Sequence, residues 1–194
     1  MTALGYAILG LLSSEALSGY DLMQRMEGRV GNFWSARHSQ IYPELARLEE
    51  GGYVTHRVVE QQERPDKKVY EITAAGLEAL KEWVPQPPAR RPVRDELVLK
   101  AYSVWVADPE QAARLFRDEE ARHAEQLAHY EGIQTWMERE WGEDLNRPDS
   151  PRFSTYAALR RGIIYERGYA EWCRWMAESL EGAPGHYREC GKGE

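Results

Sequence analysis

The segment from Ser39 to Gly52 constrains the fold of this chain most, because it places two unlike faces on one short helix. At 3.6 residues per turn, Ile41, Leu45 and Leu48 share one side and are expected to face a core. The opposite side is polar or small, and consists of Ser39, Gln40, Pro43, Ala46 and Arg47. Such a face suits a helix that lies against a large polar partner.

Pro43 fits this helix if Ser39 is the N-cap. A proline within the first turn then has few intrahelical hydrogen bonds to break. Gly51 and Gly52 supply the left-handed residue at which a helix commonly ends. The sequence therefore predicts a helix over residues 39–50.

The elements around this helix predict a small mixed domain over residues 1–84. An amphipathic first helix ends near Ser13, and Ser18 to Asp21 resembles a capping box that opens a second helix. Two β-favouring runs, residues 53–60 and 67–73, are joined by a polar turn and form a predicted hairpin. A fourth helix begins after Thr73. This order predicts a winged helix-turn-helix with a two-stranded wing.

The rest of the chain predicts long helices, so the fold class is mainly α with a small β part (α+β). A proline-rich linker covers residues 85–93, and a helical domain covers residues 94–182, followed by a flexible tail over 183–194. Helices are expected over 94–106, from Asp108 to about Gly142, and over 152–180. Their apolar stripes are narrow, which predicts a homodimer formed by antiparallel helices of this domain.

Composition limits the function classes. The 194 residues carry a formal net charge of -7, with 9 Lys and Arg against 12 Asp and Glu up to Pro85 and 16 against 20 after it. Any nucleic-acid contact must therefore use a local basic cluster rather than a broad field. Two cysteines give no disulfide framework. There is no signal peptide and no run long enough to cross a membrane, which predicts a cytoplasmic protein without a membrane partner.

Four motifs in order resemble the PadR family of bacterial transcriptional regulators. They are LGLL at residues 9–12, SGYDL at 18–22, QIYPELARLEEG at 40–51 and VYEITAAG at 69–76. The helical half resembles the longer subgroup with a virulence-activator-like C-terminal region. The resemblance implies a dimeric winged-helix repressor that binds double-stranded operator DNA and is often controlled by a small aromatic or hydrophobic effector. The two-fold symmetry of a dimer predicts that the operator is an inverted repeat.

The resemblance marks DNA-binding residues on the recognition helix, and positive charge marks further candidates on the wing. Those on the recognition helix are Ser39, Gln40, Tyr42, Pro43 and Arg47, and those on the wing are Arg64, Lys67 and Lys68. Glutamine reads adenine and arginine reads guanine or holds a phosphate, whereas hydroxyl side chains fix the register on phosphates. The alternative is that these are ordinary solvated residues, since a charge run usually forms a solvated face.

The many aromatic residues allow an effector pocket, for which the candidates are Trp83, Trp105, Tyr156 and Trp172. The alternative is that these aromatic side chains form the core of the dimer. The sequence predicts no metal site and no cofactor, and it lacks a phosphate-binding loop, a nucleophile elbow and a metal-binding His-Glu helix. The protein is therefore not expected to be an enzyme.

Two other function classes remain open from the sequence. A protein-interaction adaptor could keep the winged fold without DNA affinity, and the acidic balance of residues 1–84 favours it. A small-molecule carrier or enzyme built on the helical half would need a pocket that the sequence does not reveal. Salt-dependent DNA affinity separates the regulator from the adaptor.

Overall fold

The computed structural model describes residues 1–26, 38–60, 66–89 and 94–182. The chain divides into two compact units, Met1–Arg90 and Arg91–Glu194. We call them the N-terminal unit and the helical unit.

The described residues of the N-terminal unit form four helices and three strands. Their bounds are α1 Ala3–Leu12, β1 Leu17–Ser18, α2 Gly19–Arg25, α3 His38–Glu50, β2 Val54–Val59, β3 Lys67–Ile72 and α4 Ala74–Trp83. Side-chain caps set three of the helix starts. The hydroxyls of Thr2, Ser18 and Thr73 each accept a hydrogen bond from a backbone N–H of the first turn. The predicted capping box is confirmed, because Asp21 also accepts from the Ser18 amide at 3.3 Å.

The sheet has three antiparallel strands in the order β1-β3-β2. The predicted hairpin is present, with Val54 opposite Ile72 and Val59 opposite Lys67. The third strand is the difference from the two-stranded prediction. Leu17 and Ser18 pair with Tyr70 and Val69. A two-residue strand has no alternation to detect, so the sequence pattern could not reveal it.

One apolar core holds the N-terminal unit together. Its fully buried members come from α1, α2, α3 and the sheet, and they include Ile8, Leu9, Leu22, Ile41, Leu45, Leu48 and Val54. The ring of Tyr6 stacks on Trp83 with centroids 4.4 Å apart, which joins the outer side of α1 to the end of α4. The core thus fixes α3 against three neighbouring elements.

Helix α3 begins earlier than predicted. It is already wound at His38, so Ser39 is a helical residue and not the N-cap, and Pro43 lies inside the helix. A proline has no N–H, so the carbonyl of Ser39 lacks its usual donor four residues later. Ser39 and Pro43 both lie on the exposed side. The helix ends as predicted, with Gly52 at a φ of 72°.

The helical unit contains α5 Glu96–Tyr102, α6 Pro109–Trp141 and α7 Pro151–Glu181. The predicted helix over 94–106 is shorter. It stops at Tyr102, and a 3-10 turn follows at Val104–Val106. The predicted starts at Asp108 and near Arg152 are confirmed, because Asp108 and Ser150 cap α6 and α7 ahead of a proline. A second 3-10 turn, Gly142–Asn146, follows α6.

Helices α6 and α7 form an antiparallel hairpin. Arg117 pairs with Glu181, Arg167 with Glu131, and Tyr156 with Glu138, so partners run in opposite directions along the two helices. Two apolar clusters lie between them. One contains Phe116, Cys173, Ala177 and Leu180, and the other contains Tyr130, Met137, Leu145, Leu159 and Ile163. The apolar side of α7 therefore packs against α6 within one chain.

None of the helices within the described ranges combines the length and the apolar character needed to span a bilayer.

Candidate DNA-binding surface

Helix α3 has one buried face and one exposed face. Ile41, Leu45 and Leu48 are 1%, 1% and 2% exposed, as their spacing predicts. The exposed face carries all five residues predicted for DNA contact on this helix: Ser39, Gln40, Tyr42, Pro43 and Arg47. Because the buried face is packed into the core, the exposed face is held rigidly. The structure therefore brings these five residues together on one surface, which we call the α3 surface.

Glu44 is a charged residue that the sequence reasoning missed. It lies on the buried side of α3 and is 4% exposed. One carboxylate oxygen accepts from the Thr2 hydroxyl at 2.6 Å, and the other accepts from Nη1 of Arg47 at 3.2 Å. Its place three residues before Arg47 is the only sequence signal for this pair. The Arg47 side chain itself remains 69% exposed.

Tyr42 connects α3 to the preceding helix. Its ring fills the space beside Gly19, where a Cβ would lie 2.6 Å from the Tyr42 ring. A side chain at position 19 would therefore displace the Tyr42 ring from this contact between α2 and α3. Tyr42 is still 52% exposed, and Tyr20 on α2 is 58% exposed, with its hydroxyl accepting from the Gln24 amide at 3.0 Å. The two tyrosines and Gln24 extend the polar face beyond α3.

Two basic side chains on the described strands of the wing are paired with carboxylates. Lys68 is exposed on β3, whereas Nζ of Lys67 lies 3.1 Å from the Asp21 carboxylate. Arg57 on β2 is paired with Glu71 at 3.4 Å. Arg64 lies outside the described residues. Lys67 thus ties β3 to the start of α2, and a phosphate contact by Lys67 would have to share this ion pair.

Asp21 is held as an anion by its neighbours. The hydrogen bond from the Ser18 hydroxyl, at 2.6 Å, and then the contact with Lys67 lower the pKa of Asp21 below 3.8. The carboxylate also lies in the first turn of α2, where the helix dipole favours a negative charge. This arrangement fixes α2, and through Gly19 and Tyr42 it also supports the α3 surface.

The four residues predicted for an effector pocket are divided between the two units, with Trp83 in the N-terminal unit and Trp105, Tyr156 and Trp172 in the helical unit. In the N-terminal unit Trp83 stacks on Tyr6. In the helical unit Trp105 is 63% exposed, and the Tyr156 hydroxyl donates to Glu138 at 2.8 Å. Trp172 instead packs edge-on against Phe116 with centroids 5.7 Å apart. Tyr156 and Trp172 are separated along α7 by about 24 Å, so they cannot line one small-molecule site within a chain.

A polar group lies beside Trp172 that the sequence reasoning did not find. The Tyr169 hydroxyl donates to Asp95, the N-cap of α5, and this hydrogen bond lowers the pKa of Asp95. Burial, followed by the same hydrogen bond, raises the pKa of Tyr169. The ring of His123 lies 4.4 Å from that of Tyr169, and its Nδ1 contacts Glu166. Partners 74 residues apart leave no local signal in a sequence.

No group of three or more His, Cys, Asp and Glu side chains in the described parts of the chain could hold a metal ion. Cys173 is fully buried between α6 and α7, and burial raises the pKa of its thiol to about 11. This cysteine is a packing residue. His186 and Cys190 lie outside the described residues.

Comparison with known families accounts for both halves of the chain. Residues 8–82 match the Transcriptional regulator PadR-like family, and residues 93–181 match Virulence activator alpha C-term. The chain is 35% identical over 173 residues to the Negative transcriptional regulator PadR of Bacillus subtilis (strain 168). The match covers 89% of this chain and 94% of that protein.

Solved structures of relatives agree with these matches. Bacillus subtilis PadR in complex with operator DNA has a TM-score of 0.79 and 34% identity, covering 92% of this chain and 99% of that chain. The same protein in complex with p-coumaric acid has a TM-score of 0.76 and 32% identity, covering 93% and 99%. The Vibrio cholerae virulence activator AphA has a TM-score of 0.70 and 30% identity, covering 92% and 98%.

These matches span both units and confirm the predicted fold class of a winged helix followed by long helices. The chain belongs to the PadR-like family of transcriptional regulators and has a C-terminal part of the virulence-activator type.

Proposed function

We propose that this protein represses transcription by binding an inverted-repeat operator as a homodimer, with the α3 surface in the major groove. The observation that carries the proposal is the α3 surface itself: five exposed side chains, Ser39, Gln40, Tyr42, Pro43 and Arg47, on a helix whose other face is buried. In this proposal Arg47 reads guanine or holds a phosphate, and Ser39 and Tyr42 hold phosphates. Lys68, exposed on β3, adds a phosphate contact, and Arg64, which lies outside the described residues, stays a contact predicted from the sequence alone.

Similarity to a known DNA-binding regulator supports DNA as the partner. The Bacillus subtilis relative is a negative transcriptional regulator that has been solved with operator DNA. A repressor needs no catalytic centre, and we propose none. Because bacterial chromosomal DNA lies in the cytoplasm, the proposal also places the protein there.

The homodimer is proposed from the helical unit. Large apolar side chains remain exposed on α5 and the following turn, with Leu99 at 66%, Tyr102 at 84% and Trp105 at 63%. Exposed apolar surface of this kind marks interaction sites. A two-fold dimer would place two α3 surfaces on the two halves of an inverted repeat.

The effector is proposed to be a small aromatic molecule. The relative that binds operator DNA has also been solved with p-coumaric acid. In this chain Phe116, Tyr169 and Trp172 form an aromatic group in the helical unit, with ring centroids 5.5 Å apart for Tyr169 and Trp172. A ligand that binds better to the DNA-free state would shift the population away from the operator. If an added aromatic molecule quenches tryptophan fluorescence and releases the DNA, the result would support the proposed effector.

Fluorescence anisotropy tests the DNA contact. The DNA is a labelled duplex selected by the protein from a random-sequence pool, with a scrambled duplex as reference, at two salt concentrations. Wild type is expected to prefer the selected duplex, with affinity that falls by roughly one power of salt concentration for each phosphate contact. Arg47→Ala is expected to lose about 1–3 kcal/mol on the selected duplex.

Lys81→Ala is the matched control, because Lys81 is also exposed and also paired three residues away, with Glu78 at 2.6 Å. It removes the same charge from the same unit but lies on α4. Equal, weak binding to both duplexes by wild type, with no effect of Arg47→Ala, would favour the adaptor and reject the repressor.

A further inference from the structure

We infer that Glu44 is a positioning residue for specificity: its buried carboxylate fixes the guanidinium of Arg47 in the orientation that reads the operator. This inference rests on the proposed function, since it concerns the residue proposed to read a base. It assigns a role to an acidic side chain that lies directly behind a DNA-facing helix.

The geometry gives Glu44 two partners on opposite oxygens. Oε2 accepts from Nη1 of Arg47 at 3.2 Å, and Oε1 accepts from the Thr2 hydroxyl at 2.6 Å. Thr2 in turn accepts from the Gly5 amide at 3.0 Å, as the N-cap of α1. The carboxylate is therefore held from behind by α1 and presents its other oxygen to Arg47.

Arg47 is tethered without being covered. Its side chain is 69% exposed, whereas the Glu44 side chain is 6% exposed. A guanidinium has five N–H donors, so one hydrogen bond to Glu44 leaves the others available for a base edge. Holding a long side chain in place before binding reduces the conformational entropy that binding would otherwise remove.

A carboxylate behind a DNA-binding face is unfavourable on charge alone, because it repels phosphates. The N-terminus of α1 offsets part of this cost through its dipole and the Thr2 hydroxyl. A purely structural anchor between α1 and α3 would need only the oxygen that Thr2 uses. The hydrogen bond from Arg47 to the other oxygen of Glu44 is not required for such an anchor.

The test is a double-mutant cycle of Glu44→Gln and Arg47→Ala in the full chain, measured by anisotropy on the selected and the scrambled duplex. Glutamine keeps an oxygen for Thr2 and nearly the same shape, but it loses the charge that holds Arg47. The readout is discrimination, the ratio of the two affinities. Glu44→Gln is expected to lower discrimination about three- to tenfold, while affinity for scrambled DNA stays equal or rises.

Two controls separate positioning from charge and from stability. Glu78→Gln removes an exposed carboxylate from the same unit, and it is expected to leave discrimination unchanged. Thr2→Val removes the anchor and leaves the pair with Arg47. It is expected to lower the unfolding midpoint and to reduce discrimination less than Glu44→Gln does. If Glu44 had only a structural role, Glu44→Gln would lower the unfolding midpoint and leave discrimination intact.

Each outcome of the cycle has one meaning. If Glu44→Gln has no further effect in the Arg47→Ala background, the two residues act as one unit and the inference holds. If the two losses multiply, or if Glu44→Gln discriminates as well as wild type, the inference is overturned while the repressor proposal stands. If wild type itself does not discriminate between the duplexes, the proposed function fails and the inference fails with it.

Discussion

A methyl group added at Gly76 would lie 2.1 Å from the carbonyl oxygen of Tyr53, which is backbone and cannot move aside. Gly76 lies in the first turn of α4, where its amide donates to the Thr73 hydroxyl at 3.1 Å. Gly10, by contrast, is exposed on α1 with nothing within 4 Å of an added Cβ. Packing therefore requires a glycine at position 76, whereas it leaves room for a side chain at position 10.

We therefore expect opposite effects from the same substitution. Gly76→Ala should destabilise the protein by at least about 2 kcal/mol, because the methyl group overpacks against backbone. Gly10→Ala should stabilise it by about 0.5–1 kcal/mol, because alanine loses less backbone entropy in a helix. Urea unfolding followed by circular dichroism measures both. Equal shifts of the midpoint would contradict the packing around Gly76.

The lowered pKa of Asp21 predicts that the stability of the fold depends on pH. Its folded pKa lies below 3.8, so its ion pair and cap contribute stability above about pH 4, and the contribution is lost as the pH falls through the folded value. Asp21→Asn should therefore be less stable than wild type at pH 7, and the difference should shrink below about pH 4. Unfolding midpoints at several pH values test this. Asp66→Asn, exposed just before β3, is the control, and a difference for Asp21→Asn that does not shrink as the pH falls below about 4 would contradict the proposed role of the ionised carboxylate.

At the residue scale, the sequence predicted the features that depend on local spacing. Ile41, Leu45 and Leu48 were identified as core because they repeat with the helical period. Glu44 was not identified, since its burial depends on Thr2, which comes 42 residues earlier. The pairing of Lys67 with Asp21 was missed for the same reason, because charge alone made Lys67 a candidate DNA contact and only the fold places Asp21 beside it.

At the element scale, helix starts with side-chain caps were predicted well and helix interruptions were not. Asp108 and Thr73 carry local signals that the structure confirms. The end of α5 at Tyr102 carries none, since Ser103 is neither glycine nor proline. The start of α5 is instead fixed from a distance, by Tyr169 on α7, which donates to the capping carboxylate of Asp95.

Tyr169→Phe should therefore weaken the attachment of α5 to α7. Removing a hydrogen bond to a charged group is expected to cost about 1.5 kcal/mol. Tyr165→Phe is the matched control, because this tyrosine lies one turn earlier with its ring centroid 5.3 Å from that of Tyr169, whereas the hydroxyl that donates to Asp95 is that of Tyr169. It should cost under about 0.5 kcal/mol. Thermal unfolding of the two variants compares them, and equal losses would show that Asp95 does not fix α5.

At the scale of the whole molecule, the chain combines an N-terminal unit that presents the α3 surface with a helical unit that keeps large apolar side chains exposed. The N-terminal unit has no excess of basic residues, with 9 Lys and Arg against 12 Asp and Glu up to Pro85. Broad electrostatic attraction is therefore a poor source of affinity. Under the proposed function, sequence preference therefore depends on a few base contacts of the α3 surface, repeated by the two-fold symmetry of the dimer.

The most direct test is a base-pair scan of the selected operator, with affinities of wild type and Arg47→Ala measured by anisotropy for each single substitution. Wild type should show penalties of about 1–3 kcal/mol arranged symmetrically about the centre. Arg47→Ala should remove the penalty at one symmetric pair of positions and leave the others. A uniform loss across all duplexes, or a pattern without symmetry, would contradict the claim that two α3 surfaces read an inverted repeat.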